Sequence, residues 1–499
     1  MIRENGSDGV VPWSRTAAGG LFVLIILATY YWIFFLPPMS VGSTDPDRYF
    51  HLGLSQLISE HGLLRVLPQV EDLGWGRYFP DKEFLFHVLT GTAHSLGGSP
   101  CVLAVVPLTG ILIALLLHSE LCRVIRPLAA AVLTSSVFVL TAAFLFRLSL
   151  LRPHILAILF FCLLISAVIR SRPRLAAMAA AGFVLAYHAF YIVLLVAAVA
   201  WLLRRQPGFE NLRLWLWIVG GLVVGTILNP YFPSNVEMGL LTLRLALGVD
   251  PLPATEQGRE LMALPWQRLF MIYGFIPASL FATAVAWWFR RPPVGPGVSR
   301  FLFLALLSLG FWVLGAKSPR AMEYAVPASI LMIGYGAFVL QIRWWVPLNI
   351  GLLVLIQGFS AQQYYRENIR LPPGVHGSFP VFASVLGQIP AAAAGKKVFN
   401  CEWEAGSYVL YTRPDLRFVD LLEPALLWNE SSEKFLVRRG LIEGAFADPR
   451  LVLRGVFNAD YVLCGSPALI KQMQQKPKDF TSLPGTQGDK VRLFAVRPE

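Results

Sequence analysis

Long apolar stretches separated by short polar segments run through the first 360 residues of the chain. Each stretch holds roughly 15 to 22 residues, close to the length that a helix needs to cross a hydrocarbon core. This pattern predicts a polytopic α-helical membrane protein with about eleven transmembrane helices. We place the spans at 17–38, 101–121, 128–146, 155–170, 175–188, 190–203, 212–229, 268–289, 301–316, 323–341 and 345–360.

Two helical patterns fall in the polar segment 39–100, which follows the first span. Residues 47–61 carry an apolar stripe at helical spacing and end at Gly62, a common helix stop. Residues 83–97 are apolar but carry several charged and histidine side chains, and counting them as a crossing would put the later basic loops outside the membrane. We therefore predict two juxtamembrane helices that lie along the membrane surface.

The pattern changes at about residue 361, where strand-like runs begin to alternate with helical ones. This alternation predicts a small soluble α/β domain at 361–499, after a membrane domain at 1–360. Cys401 and Cys464 both lie in this second domain, and their spacing leaves open whether they form a disulfide. Strands are predicted at Val398–Asn400, Arg417–Val419, Tyr461–Cys464 and Val491–Val496, and helices at 379–389, 403–411, 432–440 and 466–475.

The composition supports a membrane location and the charges predict an orientation. Only 14% of the residues are charged, against about 25% in soluble globular proteins. Basic residues cluster in alternate loops, whereas acidic residues exceed basic ones in segment 39–100. By the positive-inside rule, the amino terminus is cytoplasmic, and segment 39–100 and the carboxy-terminal domain are extracytoplasmic. The net charge of +12 thus reflects topology, and no nucleic-acid partner is expected.

The strongest candidate for chemistry is the run that follows the first span, with Asp45, Asp47 and His51. Asp47 and His51 are four residues apart and share one face of the predicted helix. A carboxylate there can accept a proton from an attacking acceptor, or hold a divalent cation. The alternative is that both acids are helix caps or solvated loop residues.

Basic side chains at other predicted outside ends indicate an anionic ligand. Arg147, Arg152, His154 and Arg320 lie there, where arginine either reaches lipid phosphate or binds a substrate phosphate. The outside segment 229–267 is long and rich in Pro and Gly, as functional loops often are. Few charged residues lie inside the spans, which favours surface chemistry over transport.

Three short motifs resemble those of the GT-C glycosyltransferases. Asp47-Arg-Tyr49-Phe50-His51 is similar to the Asp-x-Tyr/Trp-Tyr/Phe-His/Asn run of the oligosaccharyltransferase-like members, and Lys82–His87 to a juxtamembrane segment of the mannosyltransferase-like members. Residues 400–408 resemble a Trp-x-x-Gly segment in oligosaccharyltransferase-like soluble domains. The chain departs from the family at 147–154, where the second acidic motif is expected and no carboxylate occurs.

The resemblance implies an enzyme in a bacterial-type plasma membrane. It would move a sugar or glycan from a polyprenyl-phosphate or -diphosphate donor to a protein, lipid or glycan acceptor on the extracytoplasmic face. The alternatives are a lipid-linked polysaccharide polymerase or ligase, or a non-enzymatic assembly or transport component.

The resemblance also implies roles for individual residues. Asp47, Asp45 and His51 would be catalytic, and the two acids would hold any Mg²⁺ or Mn²⁺. Carrier phosphate would bind at Arg152, Arg320, His154 and Arg147, and the acceptor near Glu402, Trp403 and Glu404.

Overall fold

The structure, a computed structural model, describes residues 19, 22, 25, 45–207, 212–249, 263–364, 378–483 and 491–498. The predicted first span, 17–38, and the second part of the predicted loop 229–267 therefore lie largely outside the described residues.

Helices dominate the first 364 residues, and most of them match predicted spans within a few positions. Among the described residues, 3₁₀ turns at Pro68–Leu73, Pro319–Ala321 and Ala391–Ala393 connect longer elements. The helices in this part are α1 Pro46–His61, α2 Phe84–Leu121, α3 Pro127–Leu140, α4 Ala142–Leu148, α5 His154–Ile169, α6 Pro173–Ala186, α7 Tyr191–Leu202, α8 Leu212–Leu228, α9 Ser234–Leu247, α10 Trp266–Tyr273, α11 Phe275–Arg290, α12 Pro296–Lys317, α13 Met322–Leu340 and α14 Trp345–Tyr364.

Several of these helices are long and apolar enough to cross a membrane. Within the described residues, Phe84–Leu121, Pro296–Lys317 and Pro319–Leu340 meet that criterion. Two bent pairs raise the number from three to five: α3 with α4, at 85°, and α10 with α11, at 77°. The straight predicted spans 128–146 and 268–289 are thus each two helices at a sharp angle.

The predicted surface helix 83–97 and span 101–121 are two parts of α2. The helix is interrupted at Gly97 and Gly98, where Gly98 has φ +66°, a value that only glycine adopts readily. The sequence boundary at these glycines is therefore correct.

The first part of the predicted loop 229–267 contains a helix that was not predicted, because residues 234–247 form α9. The run Pro230–Pro233 precedes the helix and Gly248, with φ +69°, ends it. Proline and glycine here mark the ends of a helix and not the absence of one.

A mixed five-stranded sheet forms the core of the carboxy-terminal part, in the order β2-β1-β3-β5-β4. Strand β1 pairs in parallel with β2 and β3, whereas β5 pairs antiparallel with β3 and β4. All four predicted strands occur, whereas β4 and two short helices, α17 and α19, were not predicted. The strands are β1 Lys397–Asn400, β2 Arg417–Phe418, β3 Tyr461–Cys464, β4 Phe480–Ser482 and β5 Arg492–Val496, and the helices are α15 Ser378–Leu386, α16 Trp403–Thr412, α17 Pro424–Glu430, α18 Ser432–Glu443, α19 Pro449–Gly455 and α20 Pro467–Gln475.

A disulfide joins the ends of two neighbouring strands of this sheet. Cys401, directly after β1, is bonded to Cys464, the last residue of β3. The pairing that the spacing left open is thus present.

Helix α1 is held between the carboxy-terminal part and α2. Gly53 allows close approach of α16, because a Cβ at this position would lie 3.2 Å from Leu410. One turn earlier, the ring of Tyr49 stacks on Phe379 with centroids 4.1 Å apart. These contacts fix α1, and the candidate residues that it carries, against two helices of the carboxy-terminal part.

A second set of contacts between the first loop and the sheet is ionic. Asp72 and Lys397 are both buried and form an ion pair, and Lys434 Nζ lies 2.7 Å from the same carboxylate. Breaking such a pair leaves a buried charge without compensation, so the loop and the carboxy-terminal part are firmly joined here.

Candidate functional site

One cavity collects side chains from nearly all of the predicted outside segments. It lies where α1, the start of α2, the α4–α5 and α6–α7 connections, Arg320 and α9 converge. Loops predicted to share one side of the membrane therefore do meet at one place. Its polar lining consists of Asp47, His51, Lys82, Glu83, Arg147, Arg152, His154, Tyr187, His188, Thr242, Arg320 and Glu423.

Asp45 and Asp47 have different positions at the start of α1. Asp45 is the N-cap, and its Oδ1 accepts a hydrogen bond from the Asp47 amide at 3.3 Å. Asp47 and His51 both line the cavity, as their shared helix face predicts. The capping interpretation is therefore correct for Asp45, whereas Asp47 faces the space where a ligand would bind.

Arg152 binds both acids. Its Nη2 and Nε donate to the two carboxylate oxygens of Asp45 at 2.6 and 2.9 Å, and its Nη1 lies 3.0 Å from Asp47 Oδ2. A metal ion on both carboxylates would have to displace this guanidinium. The arrangement does not fit the Mg²⁺ or Mn²⁺ site that the resemblance implies at Asp45 and Asp47.

A buried polar chain lies behind His51. His51 Nδ1 is 2.9 Å from His87 Nε2, and His87 Nδ1 is 2.8 Å from Asp81 Oδ1. Burial, reinforced by the charge of His87, holds the pKa of His51 well below its usual range. The imidazole of His51 is therefore neutral at pH 7.

Glu83 and His188 form a second buried contact at the cavity wall, with Oε1 and Nδ1 3.4 Å apart. Burial lowers the pKa of His188 to about 4. Burial alone would raise the pKa of Glu83, but His188 and the charge of Lys82 hold it below its usual range. At pH 7 this wall thus presents a carboxylate beside a neutral imidazole.

The predicted phosphate-binding residues all line the cavity, and all of them already interact with other groups of the protein. Arg152 binds the two aspartates, Arg147 Nε donates to Glu323 at 2.6 Å, and His154 Nε2 lies 2.8 Å from the Arg147 carbonyl. These residues shape the wall and hold its charge in place.

Lys82 is the cation that the sequence argument overlooked. It lines the same cavity, and its ammonium makes no hydrogen bond or ion pair with any residue in the described part of the chain. Such a group is available to an anionic ligand. The sequence does single out Lys82, because it is the first residue of the juxtamembrane motif Lys82–His87, but the resemblance implies no role for that motif.

Glu402, Trp403 and Glu404 do not line the cavity. Glu402 is the N-cap residue of α16, and its Oε1 accepts a hydrogen bond from the Gly465 amide at 2.8 Å. Burial raises the pKa of this carboxyl. The carboxy-terminal part reaches the cavity instead through Leu422, Glu423 and Leu426, which the sequence argument missed.

A second cavity of about 700 Å³ lies on the other side of α9. Met238 and Leu241 of α9 and Leu426 of α17 line both cavities, so these two helices lie between them. The second cavity is bounded by segment 73–80, α9 and α17, and its polar lining includes Arg77, Glu237, Arg244 and Glu430.

No family model and no curated protein matches this sequence, but solved structures share its fold. The apo oligosaccharyltransferase of Archaeoglobus fulgidus aligns over 96% of this chain and 75% of its own, with TM-score 0.63 and 11% identity. Apo ArnT of Cupriavidus metallidurans aligns over 97% and 99%, with TM-score 0.61 and 13% identity.

Complexes of the same two proteins also match. AglB of A. fulgidus with an inhibitory peptide and a dolichol-phosphate has TM-score 0.61 at 11% identity, over 90% of this chain and 69% of its own. ArnT bound to undecaprenyl phosphate has TM-score 0.59 at 14% identity, over 97% and 100%. Identities this low establish the fold alone: the chain shares the fold of the A. fulgidus oligosaccharyltransferase and of ArnT, which agrees with the resemblance of its motifs.

Proposed function

We propose that this protein is a membrane glycosyltransferase that takes a sugar or glycan from a polyprenyl-phosphate or -diphosphate donor. The observation that carries the proposal is the cavity itself. It places the Asp47 carboxylate near Lys82, Arg152 and Arg320, at the end of an apolar helix bundle where a lipid carrier can lie. The lipid phosphates bound by AglB and ArnT support the same ligand class.

In the proposed reaction Asp47 is the base. The acceptor hydroxyl, amine or amide attacks the anomeric carbon, its proton passes to Asp47, and the bond from that carbon to the carrier phosphate oxygen breaks. The polyprenyl phosphate or diphosphate leaves with the electron pair. Lys82 and Arg320 stabilise the negative charge of this leaving group, because cations placed at developing charge lower the barrier.

Arg152 has a positioning role in this scheme. It holds the carboxylate of Asp47 from one side and is itself fixed by Asp45. A cation that is part of the protein thus occupies the position between the two acids. No step of the proposed reaction needs a metal ion there.

The two cavities suggest how the substrates are arranged. The donor phosphate would bind beside Lys82, and the acceptor would enter through the second cavity, where Arg77, Arg244 and Glu430 offer polar contacts. Helix α9 would cover the donor. The carboxy-terminal part would take part through α17.

The test is transfer by purified protein in lipid vesicles that carry undecaprenyl-phosphate-linked sugars, with products identified by mass spectrometry. We expect Asp47→Asn to lower turnover by about 100-fold or more, as loss of a general base does. Glu60→Gln is the matched control, because Glu60 is an exposed acid on the same helix.

Unchanged turnover in Asp47→Asn would contradict the catalytic assignment. Products that lengthen in steps would identify a polysaccharide polymerase. No release of carrier phosphate from any sugar donor would favour the non-enzymatic alternative.

A further inference from the structure

A second set of metal-binding side chains lies beside the candidate active site and has no role in the proposed reaction. One ligand atom each from His51, Glu83 and His87 lies within 4.8 Å of the others, and all three residues are buried. We propose that these three residues bind one Zn²⁺, with a fourth coordination position facing the cavity.

The spacing of the ligands suits this ion. Two nitrogens bound tetrahedrally to zinc at about 2.0–2.1 Å stand about 3.3 Å apart. His51 Nδ1 and His87 Nε2 are 2.9 Å apart, so the rings need to separate by only a few tenths of an ångström. Two imidazoles with one carboxylate favour Zn²⁺ over Mg²⁺, which prefers oxygen ligands and retains water.

The residues around the ligands hold them as a metal site requires. Asp81 Oδ1 lies 2.8 Å from His87 Nδ1, so His87 Nδ1–H can donate to it and leave Nε2 as the metal-binding atom. The same oxygen accepts a hydrogen bond from the Glu83 amide at 2.9 Å. Carboxylate–histidine pairs of this kind orient the imidazole ligands of zinc.

Charge also favours a cation here. Asp81 and Glu83 are both buried, and within the described residues neither forms an ion pair with an arginine or lysine. Asp81 contacts His87 and Glu83 contacts His188, whereas the neighbouring Lys82 acts on Glu83 only through its charge and not through an ion-pair contact. A buried negative charge is costly without a partner, and a divalent cation between Glu83 and the two imidazoles supplies one.

The site is accessible from two sides. His51 and Glu83 line the cavity with Asp47, whereas Asp81 and His87 line a different cavity of about 290 Å³ at the start of α2. A zinc ion at this position can reach its ligands without unfolding α1 or α2. Its open coordination position faces the cavity through His51 and Glu83, close to where the donor phosphate is proposed to bind.

Binding is tested with tag-free purified protein, titrated with Zn²⁺ and separately with Mg²⁺, and desalted before elemental analysis. We expect one zinc per chain and no retained magnesium. Glu83→Gln and His87→Ala should each lower zinc affinity at least 100-fold. Asp81→Asn should lower it about 10- to 100-fold, as loss of an outer partner does.

Two controls separate this proposal from the proposed function. His94→Ala removes a histidine from the same helix, one that contacts Ser59 instead, and should retain wild-type affinity. Asp47→Asn should also retain zinc even where it abolishes transfer. Because binding is measured without substrate, failure of the transfer assay leaves this result intact.

Zinc should also raise the melting temperature of the wild type but not that of Glu83→Gln. Glutamine has nearly the same shape as glutamate, so this variant should still fold, and its loss of zinc binding would not reflect unfolding. Absence of zinc in the wild type would overturn the proposal. So would undiminished affinity in Glu83→Gln, or equally tight Mg²⁺.

Discussion

Arg152, which lines the cavity, forms a bidentate ion pair with Asp45, with two N–H···O contacts of 2.6 and 2.9 Å. Both side chains are largely buried, at 14% and 6% exposure. The pair lies where GT-C enzymes are expected to have a second acidic motif. In this chain residues 147–154 contain no carboxylate, and Arg152 of this segment places its guanidinium against Asp45 and Asp47.

Replacing Arg152 by Met should therefore destabilise the fold strongly. Loss of one partner leaves a buried charge unpaired, which costs about 3–5 kcal/mol. Adding Asp45→Asn should recover part of the loss, because Asn removes the charge and still caps α1. Thermal unfolding in detergent measures both variants, and the exposed Arg174→Met is the control. Equal stability of wild type and Arg152→Met would contradict the assigned role.

Lys82→Met should lower transfer without lowering stability. Charge-assisted hydrogen bonds contribute about 1.5–3 kcal/mol, which corresponds to roughly 10- to 100-fold in kcat/KM for the lipid-linked donor. Lys82→Arg should retain part of the activity, because it keeps the charge. The exposed Lys471→Met serves as the control. An unchanged kcat/KM for Lys82→Met would place the phosphate elsewhere.

Glu402 predicts a specific pH dependence of stability. Its pKa is raised in the folded protein by burial, so the folded state keeps a proton that the unfolded state has lost. The stability that protonated Glu402 contributes is therefore fully present below the usual carboxyl pKa. It is lost as the pH rises to the raised pKa of the folded state.

Glu402→Gln should remove that loss, since the amide oxygen can still accept the hydrogen bond from the Gly465 amide. We expect the variant to melt higher than the wild type at pH 8, with the difference shrinking toward pH 4. Melting curves across this range decide the matter. A lower melting temperature for the variant at pH 8 would show that the charge itself is needed, for example by Arg438.

The sequence predicted helices and strands well where residues within the same short segment determine them. Helix α1 carries its cap, its stripe and its glycine stop within one short run, and β3 occupies the predicted residues 461–464. The helix within the predicted loop 229–267 was missed because proline and glycine counts do not distinguish an irregular segment from a helix with well-marked ends.

The site was predicted only in part, for a different reason. Asp47, His51 and Arg320 could be proposed because each stands out in its own segment. Lys82 and Glu423 become candidates only in the folded protein, where both line one cavity. They are far apart in the sequence, and no local pattern predicts that they come together. Glu402 was chosen by likeness to a motif, and the structure shows its carboxylate bound to the Gly465 amide, outside the cavity lining.

The docking of Tyr49 has a consequence for Asp47. The two residues are neighbours on one turn of α1, and the ring of Tyr49 lies among Phe379, Tyr408 and Tyr411 of the carboxy-terminal part. The helix that carries the proposed base therefore packs against the carboxy-terminal part as well as against the membrane bundle. If the carboxy-terminal part tilted relative to the membrane bundle, α1 would move with it, and the direction of the Asp47 carboxylate in the cavity would change.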